Sequence, residues 1–314
     1  MFDGDQAGLR AAYKSSLMSL PFIASNKFLQ FIIIQPLYSI HGIFLDINEI
    51  NELAKSIRID ILNMTSNANS GHPGGSLSST DILAVLYGNI LKYDPKNPKW
   101  EDRDRFILSK AHACPVLYAA LAENGYFDKS ELLTFRKLDS RLQGHAHIKT
   151  PGVEMSGGSL GQGLSFGVGV ALSAKLDQKN YKTYVLLGDG ELNEGQIWEA
   201  IMTAKKYELE NLVAIVDKNG IQNDRFTHEV MDLNPLPEKW KSFGWECFEV
   251  DGHDVKSLTQ VFQSINFENS KPKVIIADTV KGKGVSFMEN NPDFHGKAAN
   301  PDQLKQAIAE INNH

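Results

Sequence analysis

The sequence predicts an α/β fold, a parallel sheet with helices on both faces. Short apolar runs of strand length recur in the second half of the chain, helical segments separate them, and one run ends in a glycine-flanked acidic turn. With 314 residues, 42% of them hydrophobic, the chain can bury a large core without disulfide staples. Its two cysteines, Cys114 and Cys247, cannot make a disulfide framework, so a reducing, cytoplasmic setting is expected. The formal net charge of −6 supplies no global field for nucleic acid, and any bound anion needs a local device.

Residues 1–45 read unlike the rest. The apolar stretch Lys27–Leu45 is interrupted by Gln30, Gln35, Pro36 and His41, whereas a membrane span needs about 20 mostly apolar residues in a row. No small-residue cleavage site follows it, which argues against an exported leader. This segment is expected to be an extension outside the regular domain, 46–314, with a partner-covered arm as the alternative.

From Asp46 the patterns become regular. Ile47, Ile50, Leu53, Ile57, Ile61 and Met64 recur at three- and four-residue steps and predict a helix burying one face. A second helix is expected near 79–91, with Ile82, Leu83, Val85, Leu86 and Ile90 inward. Asp128 and Glu131 have capping-box spacing ahead of Leu132, Leu133 and Phe135. The Gly-, Ala- and Val-rich stretch Gly161–Leu176 predicts a helix packed closely on a sheet. The strand candidates are Tyr184–Leu187, Leu212–Val216, Cys247–Val250 and Val274–Ala277, with helices near 196–207, 238–243 and 255–265 between them. Asn300-Pro301-Asp302-Gln303 supplies cap, first-turn proline and capping-box glutamine for a final helix.

The sharpest chemical signal lies between Tyr184 and Asn223. A buried strand ends in Gly188-Asp189-Gly190, where the glycines permit a tight turn and close approach of a ligand to the backbone. A helix follows, then a strand ending in Asp217-Lys218-Asn219-Gly220. In a right-handed βαβ unit both loops emerge at the same carboxyl edge, where open α/β sheets bind ligands. Asp189 and Asn219 can therefore converge as hard oxygen ligands, an incomplete shell suited to Mg²⁺, which completes its octahedron with phosphate oxygens and water. Such a metal lets an acidic protein hold a polyanion. A nicotinamide site is disfavoured, because Gly157–Gly163 lacks the G-x-G-x-x-G spacing and no acidic residue sits about 20 positions on.

Several of the nine histidines stand in small-residue loops: His72 in SGHPGG, His112 in SKAHA, His145 and His147 in QGHAH, and His295 in FHGK. Loops positioned by a sheet carry chemistry. A zinc site from His145 and His147 with His112 or Cys114 lacks the short pair spacing of structural zinc, and nothing marks Cys114 as an activated nucleophile.

The Gly-Asp-Gly and Asn pattern resembles the diphosphate-binding motif of thiamin diphosphate enzymes. That resemblance implies Asp189 and Asn219 as side-chain ligands and Ile221 as the carbonyl ligand of the cation, with Gly190 beside the cofactor. The stretches Ser70–Gly75, Arg103–Ala113, Gly144-His145, Gly152–Gly163, Gly188–Gly195 and Lys281–Gly296 are together similar to transketolase, in family order across most of 47–314. The resemblance implies roles at several positions. His72 would hydrogen-bond substrate, His112 would contact the cofactor diphosphate, His145 would bind the ketol hydroxyl, and His295 would stand near both diphosphate and substrate. Gly158 and Leu160 would line the cofactor pocket, and Glu194 would be a buried acid coupling two active sites across a subunit interface. Ala111, Ala146 and Phe294 depart from the family's usual Gly, Pro and Trp, and His147 has no counterpart role.

In that family the pyrimidine-side glutamate and the sugar-phosphate arginines lie in a C-terminal half that does not follow here. The last helix, with its own cap and the polar ending Asn312-Asn313-His314, reads as finished. The resemblance thus implies the N-terminal subunit of a split transketolase, transferring a ketol unit between sugar phosphates. It would need thiamin diphosphate, Mg²⁺ and a C-terminal partner chain, in a heterotetramer. The alternatives are an α-like subunit of a 2-oxo acid dehydrogenase, a 1-deoxyxylulose-5-phosphate synthase-like chain, and a non-catalytic relative.

Overall fold

A computed structural model describes residues 44–313. The expected extension lies outside the described residues except for its last two positions, and so does His314. Helix α1 (Ile47–Asn67) starts at a complete capping box: Asp46 Oδ1 accepts from the N–H groups of Asn48 and Glu49, and the Glu49 carboxylate accepts from Asp46 N–H. Of the residues expected inward, Ile50, Ile57, Ile61 and Met64 are buried, Ile47 and Leu53 are half-buried, and Ala54 is buried with them.

The second helix is not continuous. The expected span holds α3 (Thr80–Val85) and a π-helical turn, Leu86–Ile90, in which Leu91 N–H reaches back to Leu86 O at 2.8 Å, and a separate short helix, α2 (Pro73–Ser78), precedes them. The wider turn rotates Ile90 off the buried face, and it is half-buried. The expected capping box at Asp128 is also incomplete. Its side chain accepts only from Ser130 among backbone donors, a 3₁₀ turn (Lys129–Thr134) follows, and Glu131 turns instead to Arg141, 2.7 Å away. Leu132 and Phe135 are buried there, but Leu133 is exposed.

Five strands form one parallel sheet: β1 (Arg105–Leu108), β2 (Thr183–Gly188), β3 (Leu212–Lys218), β6 (Glu246–Asp251) and β7 (Lys273–Asp278), in spatial order β1-β2-β3-β7-β6. The edge strand β1, short and flanked by charge, has no counterpart among the expected strands. A small antiparallel hairpin, β4 (Ile221–Gln222) with β5 (Arg225–Phe226), follows β3.

Side chains alternate across the sheet. Leu186, Ile215 and Ile275 join one core layer with α1, α3 and α4 (Cys114–Glu123), and with α9 (Val255–Ser264) and α10 (Pro301–Asn313). Val185, Leu187, Ala214 and Ile276 join the other layer with α5 (Gln162–Leu176), α6 (Gly195–Lys206) and α8 (Leu236–Ser242), the short turn α7 (Thr227–Val230) preceding the last. Helix α5 lies close on the sheet because of Gly167, where a Cβ would come within 2.5 Å of the Val185 side chain. At α10, Asn300 and Gln303 cap each other as the sequence implies. Among the described residues no helix is long and apolar enough to cross a membrane.

Candidate active site

Four strands deliver the site from their carboxyl ends. Strand β2 passes into Asp189, β3 through Asp217 to Asn219, β7 to Thr279 and Lys281, and β1 to Ser109, Lys110 and His112. Asp217, fully buried, joins them. It accepts from Ser78 Oγ at 2.7 Å, Ser79 Oγ at 3.3 Å and Asn219 Nδ2 at 3.0 Å, and also from Lys110 Nζ and Thr279 Oγ1. Burial raises this carboxyl, but the Lys110 charge and the surrounding donors outweigh it and hold the group at about 2. Lys110, 2% exposed, also donates to Gly75 O at 2.8 Å, so the β1 loop, α2 and β3 are tied at one point.

Asp189 stands on the same edge. Its Oδ1 accepts from Gly190 N–H at 2.8 Å and its Oδ2 from Gly220 N–H at 2.7 Å, bridging the two loops expected to converge. Burial and the charge of Asp217 push its carboxyl up to about 6. Asn219 is held with Nδ2 on Asp217 and Oδ1 accepting from Ile221 N–H at 3.1 Å. The Ile221 carbonyl accepts from Lys281 Nζ at 3.1 Å. Asp189, Asn219 and Ile221 are 8%, 8% and 3% exposed. A buried carboxylate with no ion-pair partner within 4 Å among the described residues, beside an amide and a carbonyl oxygen, is a donor set that fits a hard divalent cation. No group of three His, Cys, Asp or Glu side chains among the described residues could hold a metal alone, so such an ion would take its remaining ligands from phosphate and water.

These residues line a cavity of about 260 Å³. Across it His72, His112 and His295 form a triangle, with ring centroids 5.2, 5.2 and 5.3 Å apart. Burial and neighbouring positive groups, chiefly Arg136 for His72, Lys110 for His112 and Lys281 for His295, lower them to about 4, about 2 and about 3. All three are neutral at pH 7. Lys281, lowered to about 8 by burial and Lys110, remains largely protonated and donates to His295 Nδ1 at 2.9 Å, which leaves the ring proton on Nε2.

Depressed histidines have a stability consequence. Below about pH 6.5 the unfolded chain takes up these protons before the folded one does, so each histidine's contribution is complete above that pH and lost as pH falls. Each contributes at most about 1.4 kcal/mol per pH unit, less where water reaches the ring. Asp189 and Asp60, raised to about 6 and about 7, act in the opposite sense. Replacing His112 with Asn should therefore flatten the loss of stability between pH 6.5 and 5 measured by urea unfolding. An identical acid slope in the variant would contradict the assignment.

The structure brings His72, His112, Gly158, Leu160, Asp189, Gly190, Asn219, Ile221 and His295 to this cavity. His145 and Glu194 do not line it, and both are exposed. Glu194, at the start of α6, is thus not buried by the described residues. His147 accepts from Lys149 N–H at 3.1 Å in a local turn. Cys114 is buried, with its thiol pushed far up, and is no nucleophile. Sequence reasoning missed Lys110, Lys281 and Glu191 in the cavity wall; the one available signal was that each falls inside a motif-bearing loop. A larger cleft of about 580 Å³ lies elsewhere, against α1, α3 and α10. Its cations are already engaged: Arg58 pairs with Asp81 at 2.5 Å, and Lys55 donates to Asn312 O at 3.1 Å.

The chain is similar to known proteins. Residues 50–312 match the family model described as transketolase, thiamine diphosphate binding domain. The chain is 43% identical over 244 residues to an apulose-4-phosphate transketolase subunit of Phocaeicola vulgatus, covering 78% of this chain and 87% of that protein. It is likewise 43% identical over 242 residues to a 6-deoxy-6-sulfo-D-fructose transketolase subunit of Clostridium sp., covering 77% and 88%. Human transketolase is 39% identical over 263 residues, which is 83% of this chain but 42% of the human protein. The crystal structure of transketolase from Campylobacter jejuni superposes with a TM-score of 0.81 at 35% identity, over 85% of this chain and 43% of that one. The fold is accordingly a thiamin diphosphate-binding one, corresponding in extent to the N-terminal part of full-length transketolases, and the chain belongs to the transketolase family.

Proposed function

We propose that this chain is the diphosphate-binding subunit of a two-chain transketolase that moves a two-carbon ketol unit between sugar phosphates. The observation that carries the reading is the convergence of Asp189, Asn219 and the Ile221 carbonyl with three neutral histidines around one cavity. Residues 46–314 form the binding domain, and 1–45 lie outside it. A second chain supplies the pyrimidine-binding half, in a heterotetramer of two copies of each. The names of two relatives as transketolase subunits support that division. The exposed Glu194 would be buried at the interface, where it would couple two active sites.

Asp189, Asn219 and the Ile221 carbonyl would hold Mg²⁺. His112, Lys110, Lys281, Gly158, Leu160 and Gly190 would surround the diphosphate. Bound thiamin diphosphate supplies a nucleophilic carbon and an electron sink for cleaving the bond next to a ketose carbonyl. The chain's own part is to orient and to handle protons. His72 and His295, neutral at working pH, can each donate or accept at a substrate hydroxyl, and Lys281 fixes the His295 tautomer. His145, exposed beyond the cavity, would meet the ketol hydroxyl once substrate is bound. Substrates of the pentose phosphate pathway and a reducing cytoplasm fit this reading, the latter with the free cysteines Cys114 and Cys247.

The test is titration of thiamin diphosphate into the chain co-purified with the product of the neighbouring reading frame. Binding should require Mg²⁺ and vanish with chelator; tight binding that ignores the metal would refute the site. In the same complex, His72→Ala should keep cofactor affinity within about threefold while kcat/KM falls about a hundredfold, the signature of a contact made to substrate. Parallel losses of both would move His72 into the cofactor site.

A further inference from the structure

Glu191 follows Gly190 in the 3₁₀ turn Gly190–Asn193 and is 2% exposed. Among the described residues it has no ion-pair partner within 4 Å; its charge is met by hydrogen bonds. Its Oε1 accepts from the Ser109 hydroxyl and from Gly161 N–H at 2.9 Å, and its Oε2 from Gly188 N–H at 3.1 Å. The three donors stand at three separate points of the cradle, two in loops and one at the end of β2. Ser109 immediately precedes Lys110 and lies three residues before His112. Gly161 closes the segment holding Gly158 and Leu160. Gly188 immediately precedes Asp189.

We propose that Glu191 is a positioning residue whose single carboxylate sets the spacing of the three segments forming the diphosphate cradle, a role that rests on the cofactor reading above. Burial raises this carboxyl above its ordinary range, while the Ser109 hydroxyl and the Gly161 and Gly188 N–H groups favour its anionic form. Two carboxylate oxygens present only acceptors, so one group can take all three donors at once. Gly161 is also the N-cap residue of α5, with φ of +83°, where the helix N-terminus favours negative charge. Ser109 has no room to move away: a Cβ on Gly163 would stand 2.4 Å from its Oγ. A displaced Glu191 would therefore shift the β1 loop, the α5 entry and the Gly-Asp-Gly turn relative to one another.

Glu191→Gln tests this with nearly unchanged volume. If Oε1 keeps Ser109 and Gly161, the new NH₂ faces Gly188 N–H, donor against donor. Hydrogen exchange on the whole chain should then show Gly161 and Gly188 amides opening about tenfold faster, with Val213–Val216 of β3 unchanged. In the complex with the partner chain, affinity for thiamin diphosphate at fixed Mg²⁺ should fall about tenfold or more, as when outer supports of a metal site are removed. At saturating cofactor, kcat should stay within about threefold. Ser109→Ala, which spares the backbone donors, should weaken cofactor binding about threefold. Wild-type exchange at both glycines, or cofactor affinity unchanged in both variants, would overturn the proposal. Failure of the wild-type complex itself to bind thiamin diphosphate would overturn the cofactor reading instead, and the exchange result would still decide what Glu191 holds.

Discussion

Exchanging Lys110 for methionine is expected to destabilise the folded chain by about 3–5 kcal/mol, because it strips a fully buried carboxylate of its ion-pair partner. Asp217 would keep donors from Ser78, Ser79, Asn219 and Thr279 but lose the cation in direct contact with it. Part of the loss should be recoverable. A Lys110→Met, Asp217→Asn double variant removes both charges, and it should be markedly more stable than the single variant. Urea unfolding at pH 7.5 measures all three proteins. A single-variant loss below about 1 kcal/mol would mean that the pair is solvated and does not anchor the β1 and β3 loops.

Asp189→Asn is expected to separate function from stability. Cofactor affinity at ordinary Mg²⁺ should drop about a hundredfold or more, because on the proposed reading a direct ligand would be lost where even outer-shell losses cost tens-fold. The unfolding free energy should change by only about 1 kcal/mol. Asp189 is ionised at neutral pH although burial and Asp217 push it up to about 6, so its charge opposes folding above that pH. Removing the charge offsets the hydrogen bond from Gly190 or Gly220 that an amide cannot accept. Calorimetric titration and urea unfolding of the same variant check both halves. Wild-type cofactor affinity would show that the metal lies elsewhere.

What could be read in advance follows physical lines. Asp189 and Asn219 were legible because a strand, a helix and a strand in that order place two loop tips on one sheet edge, whatever the packing details. The histidines were legible by residue type and their loop setting. Lys110 and Lys281 were not: a lysine in sequence is by default a solvated charge, and only the fold shows each surrounded by strand ends with 2% and 3% exposure. Glu191 was hidden for the same reason, being conspicuous only through donors 30 and 82 residues away in the chain. Along α3 the apolar period fits an uninterrupted helix, and nothing local marks the π turn at Leu86–Ile90. At Asp128 the spacing was right but tertiary contacts prevailed, with Arg141 drawing Glu131 away from the cap. Glu194 departs from its expected burial, being exposed among the described residues.

The most direct test of the two-chain reading is ketol transfer from xylulose 5-phosphate to ribose 5-phosphate with Mg²⁺ and thiamin diphosphate. It should be assayed with this chain alone and with the chain co-purified with the product of the neighbouring reading frame. Apulose 4-phosphate and 6-deoxy-6-sulfo-D-fructose would serve as parallel donors, following the names of the relatives. Turnover only in the pair is the predicted result. Appreciable turnover by the chain alone, proven free of other proteins, would contradict it, as would an intact, cofactor-loaded pair that transfers no ketol unit from any of these donors.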